Sequence, residues 1–186
     1  LKIELQNSGV KKPIRSELFS TERLEQHAKS LAEAQKTGRR TAAPVSLPRR
    51  VKQNSQLLVK EYRALAASAR AGKPVTSAGE WFLDNFYIVE EQTREVVKDL
   101  PASYYRELPK MLDGPLAGYP RVYGIAWALV AHTDSALDYD RLERFVRAYQ
   151  EVSPLKIGEL WAIAITLRLT LVDNLSRLIS AVVSRV

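Results

Sequence analysis

The chain contains no cysteine, a single methionine and only two histidines among 186 residues. The first absence excludes disulfides and thiolate chemistry and fits a reducing compartment. The second leaves too few soft or nitrogen ligands for a Cys/His metal centre, and His27 and His132 stand alone in sequence, without ligand spacing. No apolar run approaches the ~18 residues needed to span a bilayer. The opening LKIELQNSGVKK lacks the apolar centre of a signal peptide. With Leu at position 1 and Met111 the lone methionine, the chain is expected to begin inside a longer product or to have been trimmed. No alternating β pattern appears, and no similarity recurs at a fixed period.

What is present has ordinary globular composition, 46% hydrophobic and 26% charged, enough for one core of normal size. The net charge of +7 is uneven: residues 1–79 carry 16 Lys/Arg against 6 Asp/Glu, and residues 80–186 carry 12 against 15. Such a split marks either a solvated basic arm or a nucleic-acid or anionic-lipid contact. The pairs Arg39-Arg40 and Arg49-Arg50 flank TAAPVSLP, read as a linker, without the aromatic interleaving of a single-strand binder.

Hydrophobic spacing predicts an all-α fold of about six helices in an irregular bundle. Residues 1–52 read as a basic arm, helix and linker, and 53–186 as a helical domain. The first helix runs from about Thr21 to Gln35, capped by Ser20, with His27 packed on its apolar stripe. The second, from about Asn54, ends at Gly72 before Lys73-Pro74. Ser77 and Glu80 form a capping box that opens the third helix. Gly79 sits where a better helix former is expected, at a cost of up to about 1 kcal/mol.

The third helix carries EWFLDNFYIVEEQ, an aromatic cluster beside four carboxylates. At about 100° per residue, an arc from Ile88 through Trp81, Asn85, Val96, Val89, Phe82 and Phe86 to Val97 is predicted to be buried. The acids fall on the opposite half. Asp84 and Glu91 share a face but lie about 10 Å apart along the axis, and without burial neither carboxyl has a reason to be raised; they do not make an acid/base pair. Asn85 and Gln92 are the unusual residues, amides in the predicted buried arc. Each must find partners, expected to be backbone groups of a neighbouring loop.

DLPASYYRELPKMLDGPLAGYPRVYG, with four prolines and three glycines, predicts an ordered connection with a short helical piece near Ser103–Leu108, docked through Tyr104, Tyr105 and Tyr119. Its glycine spacing matches neither phosphate-binding fingerprint. Helices follow from about Pro120 to His132, with Val122, Ile125, Ala126 and Leu129 inward, and from about Tyr139 to Glu151, capped by Asp138. Ser153 and Pro154 are expected to open a long last helix with Glu159 near its positive end. Leu160, Ala164, Leu167, Leu171, Leu175, Leu178 and Val182 mark its apolar stripe, and its last turns are expected to pack on something outside the chain or on a second copy.

Within residues 77–178, EWFLDNFYIVEEQ, DLPASYYRELPK, GPLAGYPRVYGIAWALVAHTD, RFVRAYQEVSPLKIGELWAI and LRLTLVDNLSRL occur in order. Together they resemble the N-terminal region of bacterial cyclic β-1,2-glucan synthases, as does IRSELFSTERLEQHAKSLAEAQ upstream. The resemblance implies a helical scaffold segment on the cytoplasmic side of the inner membrane, within a large glucosyltransferase that uses UDP-glucose and a divalent metal. It implies that the transferase motifs, membrane helices and phosphorylase-like region lie downstream, with the transferase and membrane domains of the same polypeptide as this segment's partners. No catalytic, cofactor or metal residue is carried over to this chain; DYD at 138–140 is explained as a helix start. Arg106, Glu107, Arg121, Gln150, Glu159 and Trp161 are the expected interdomain contacts, each otherwise a local salt bridge, cap or core residue. The rival expectation is a free-standing module that binds nucleic acid or anionic lipid through its basic half.

Overall fold

The computed structural model describes residues 12–38 and 45–183; Arg39-Arg40 and the first half of the expected linker lie outside the described residues. Seven helices account for nearly all regular structure there: α1 Thr21–Ala34, α2 Leu47–Arg70, α3 Ser77–Asp99, α4 Ala102–Glu107, α5 Arg121–His132, α6 Tyr139–Val152 and α7 Ile157–Val183. One two-residue antiparallel pairing sets Thr37 against Met111 and Gly38 against Lys110. The fold is all-α with a long C-terminal helix, as the spacing predicts, and α4 is the expected short helical piece.

Local chemistry fixes most of the ends. The side chains of Ser20 and Asp138 accept hydrogen bonds from the backbone N–H groups of Arg23 and Arg141, capping α1 and α6. Gly72, at φ 67°, closes α2. Three starts differ from the sequence reading. Helix α2 begins at Leu47 with Ser46 as its cap and Pro48 in the first turn, where proline's fixed φ and missing N–H cost nothing. It therefore runs unbroken through position 52. The cap of α3 is Thr76, which accepts from the Gly79 N–H at 3.2 Å, in place of Ser77. Ser153 ends α6, and α7 starts only at Ile157.

Two apolar clusters share one spine. The larger gathers α1, α5, α6, the 108–119 connection and the first half of α7; the smaller gathers Leu58, Leu65, Phe82, Val89, Val172 and Ile179 from α2, α3 and the second half of α7. At 27 residues, α7 is about 40 Å long and reaches across both. Helix α5 is buried along its whole length, not just on the expected four positions. It lies between α1 and α7, and the segment before α1 bonds to its last turn, Ser16 N–H to the Ala131 carbonyl at 2.9 Å. The Pro/Gly/Tyr-rich connection is docked as expected: the Tyr104 hydroxyl donates to the Gly158 carbonyl, the Tyr105 hydroxyl to the Val45 carbonyl, and Tyr119 is buried.

The inward arc of α3 is narrower than the predicted one: its centre is buried and both of its ends are exposed. Phe82, Val89, Thr93 and Val96 are buried, whereas Trp81, Ile88 and Val97 are 54%, 41% and 52% exposed. Packing against two helices, α2 and α7, centres burial on Phe82, which meets Phe86 edge-on while Phe86 stacks on Tyr62. Asp84 and Glu91 face water, as predicted.

Candidate functional site: buried ion pairs along the last helix

The largest departure from the sequence reading is on α7. Leu160 and Leu178 of the leucine stripe are 37% and 39% exposed, and Ala164 is exposed. The face turned inward carries Thr166, Thr170, Asp173, Asn174, Ser176 and Arg177. These polar residues also recur every three or four positions, so the signal was in the sequence, interleaved with the more conspicuous leucines. They can be buried because each is satisfied. Thr166 and Thr170 donate to carbonyls one turn back, at 2.8 and 2.7 Å. Asn174 accepts the Ile14 N–H at 2.6 Å and donates to Ser135 Oγ at 3.1 Å.

Asp173 is the centre of this arrangement. Its two oxygens accept from Arg50 Nε and Nη2 at 3.0 and 2.7 Å, from Asn54 Nδ2 at 2.9 Å, and from Arg177 Nε and Nη2 at 3.1 and 2.8 Å. Burial alone would raise its carboxyl, yet the hydrogen bonds and charge of Arg50, with the charge of Arg177, hold it below the ordinary carboxylate range. The two guanidiniums are anchored in turn. Arg50 Nη1 donates to Tyr119 Oη at 2.7 Å, Arg177 Nη1 to the Lys12 carbonyl at 3.0 Å, and Arg177 lies over the Trp127 ring at 4.9 Å. One carboxylate thus joins α2, α7, the tyrosine-rich connection and the segment before α1.

A second pair lies at the other end of α7. Arg121 Nε and Nη2 meet Glu159 Oε1 and Oε2 at 2.6 and 2.7 Å, and the guanidinium also donates to Ser153 Oγ and the Pro154 carbonyl at 2.8 and 2.9 Å. The hydrogen bond to Glu159 raises the Arg121 guanidinium above its usual value. Glu159 accepts the Lys156 N–H at 3.1 Å, closing the first turn of α7. Of the sequence candidates, the structure brings together only Arg121 and Glu159. Arg106, Glu107 and Trp161 are exposed, the last by 72%, and Gln150 is half-buried. Asn85 is half-buried and donates to the Trp81 carbonyl in its own helix at 2.8 Å, not to a neighbouring loop. Gln92 lines a groove between α3 and α7.

Neither ion pair has the form of a catalytic centre: Asp173 and Glu159 are 1% exposed, and their oxygens are occupied by fixed donors. Among the described residues no three His, Cys, Asp or Glu side chains are gathered to hold a metal. Asp138 caps α6 and Asp140 lies 3.9 Å from Arg144, so DYD does not fit a metal-and-nucleotide-sugar site. The histidines, apart in sequence, meet in space. His132 stacks on Phe19 at 3.9 Å, and His27 approaches both rings, 4.8 Å from His132. Among the described residues, no helix is long and apolar enough to cross a membrane.

These features define an all-α segment organised by buried charge along one spine. Across 166 residues, 89% of its length, the chain is 39% identical to the cyclic beta-(1,2)-glucan synthase NdvB of Rhizobium meliloti (strain 1021). The chain thus matches a part of a cyclic β-1,2-glucan synthase, as the phrases within 77–178 led us to expect, and it spans 6% of that relative's length. No protein-family model matches it.

Proposed function

We propose that this chain is the non-catalytic N-terminal scaffold of a membrane glucosyltransferase that makes cyclic β-1,2-glucan from UDP-glucose. In this reading it sits on the cytoplasmic side of the inner membrane and positions the transferase portion of the same polypeptide, which supplies the donor and divalent-metal sites. The observation that carries the reading is the 39% identity over nearly the whole chain to a small part of a very large synthase. The saturated carboxylates support it: Asp173 and Glu159, the most deeply buried acids, are committed to holding helices together, and Asp84 and Glu91 face water. Arg106, Glu107, Gln150 and the exposed Trp161 offer contacts to the next domain.

The basic-module alternative is weakened by pairing. Arg15, Arg23, Lys29 and Arg50 are held by Asp134, Glu17, Glu151 and Asp173, which reduces the field available to an anionic partner. The test has two arms. The isolated chain is expected to show no glucosyl transfer from UDP-glucose with divalent metal, and measurable turnover would overturn the scaffold reading. In a full-length synthase, Trp161→Asp is expected to lower glucan yield severalfold, and an unchanged yield would remove Trp161 from the interface.

A further inference from the structure

Helices α2, α3 and the second half of α7 form a three-helix group around the smaller core. A groove of about 340 Å³ runs between α3 and α7, floored by Val89 and Val172 and walled by Trp81, Ile88, Leu171 and Leu178. Its walls repeat every three, four or seven residues, the spacing that receives knobs from another helix. On α7 the exposed Ala164 and Leu160 lie on the same face as the groove, past Arg168. An exposed, mostly apolar groove marks an interaction site, and its periodicity selects a helix as the occupant.

Charge narrows the occupant further. Asp84 and Glu91 are exposed three residues beyond Trp81 and Ile88, placing them along the α3 rim. The one cation lining the groove, Arg168, is already engaged by Glu95 at 3.3 Å and Asp99 at 3.7 Å. The rim therefore favours an incoming helix with basic flanks. A second copy of this chain would bring the same acids and the same engaged arginine to a two-fold contact. The chain spans only 6% of its relative's length, so a synthase has ample polypeptide from which to supply such a helix.

We propose that the α3–α7 groove seats an amphipathic helix from another part of the same synthase polypeptide. Its apolar heptad stripe faces the groove, and its Lys or Arg residues face Asp84 and Glu91. The source of the helix rests on the scaffold reading; the groove's chemistry does not.

The experiment therefore has two stages. First, the 186-residue chain is titrated with two ~21-residue helical peptides sharing a leucine heptad stripe, one flanked by Lys and one by Glu. The Lys-flanked peptide is expected to bind at least about tenfold more tightly, with the preference removed by Asp84→Asn plus Glu91→Gln. Ile88→Asp, at an exposed position and checked for an unchanged melting curve, is expected to abolish binding. Equal binding of both peptides, or none, overturns the groove as a helix seat.

Second, a photo-crosslinking residue is placed at Ile88 in a full-length synthase. Crosslinks to a helix of the same polypeptide outside this segment support the source. Crosslinks to lipid or a second copy, or none, overturn it. Glucosyl transfer by the isolated chain would defeat the scaffold reading while leaving the peptide result intact, so the two failures are distinguishable.

Discussion

Arg50 and Asp173, 123 positions apart in sequence, meet through two parallel hydrogen bonds of 3.0 and 2.7 Å in the interior. A bidentate guanidinium–carboxylate pair fixes angle as well as distance. Because Arg177 and Asn54 share the same carboxylate, the contact sets how α2 lies across α7. Removing the carboxylate strands two buried guanidiniums, so Asp173→Asn is expected to destabilise the chain by about 3–5 kcal/mol in urea denaturation. Arg50→Met is expected to cost less, because Arg177 and Asn54 stay on Asp173. The double change Arg50→Met plus Asp173→Asn should cost less than the sum of the two singles. Strict additivity would mean that the two groups do not act on each other.

The same pair dictates an acid limb. The folded-state pKa of Asp173 is depressed, so its contribution is complete above the unfolded value of about 4 and is lost as pH falls through the folded value. Unfolding free energy measured against pH should decline in that window, less steeply in Asp173→Asn. Identical acid limbs in the two proteins would assign the acid sensitivity to other carboxyls.

Gly79 is a case in which propensity and packing disagree. By propensity alone, alanine in the first turn of α3 gains up to about 1 kcal/mol. A Cβ there would lie 2.7 Å from Val75 Cγ1 and 3.4 Å from Leu65 Cδ2, where α3 closes on α2. Gly79→Ala is therefore expected to lose about 1–3 kcal/mol through overpacking, read as a lower Tm. A higher Tm would show that Val75 moves aside at no cost.

The elements were legible because each carries its own local code. Ser20 and Asp138 cap where their side chains can reach an N–H three residues on, and Gly72 stops α2 by taking a positive φ. Orientation was harder to read. The leucines of α7 and the Trp81–Ile88 edge of α3 look inward on any hydrophobicity scale, yet helices that pack on two neighbours bury whichever faces point at both. On α7 that face includes Asp173, Asn174 and Arg177, and nothing local to LRLTLVDNLSRL reveals that Arg50 and Ile14 will satisfy them. Arg121 and Glu159 carried two readings, interdomain contact or local salt bridge; they pair with each other, which the turn between α6 and α7 decides. The proximity of His27 and His132 is likewise set by how α1 crosses α5.

That histidine contact carries the last prediction. His27 is half-buried between Phe19 and His132. Burial first, and then the charge of His132, lower its pKa below the ordinary histidine value. Arg23 lies over the Phe19 ring at 4.3 Å and adds a fixed cation to the cluster, while His132 Nδ1 is engaged with the Glu17 carbonyl at 2.7 Å. A base whose folded pKa is depressed is protonated more readily in the unfolded chain, so stability falls as pH drops below about 6.5 and levels off below the folded value. Between neutrality and mild acid, above the Asp173 window, the chain should lose stability with a slope that His27→Gln flattens. The direct measurement is the His27 imidazole titration by NMR. A midpoint at or above the ordinary histidine value would show that the neutral ring is not what the α1–α5 contact selects.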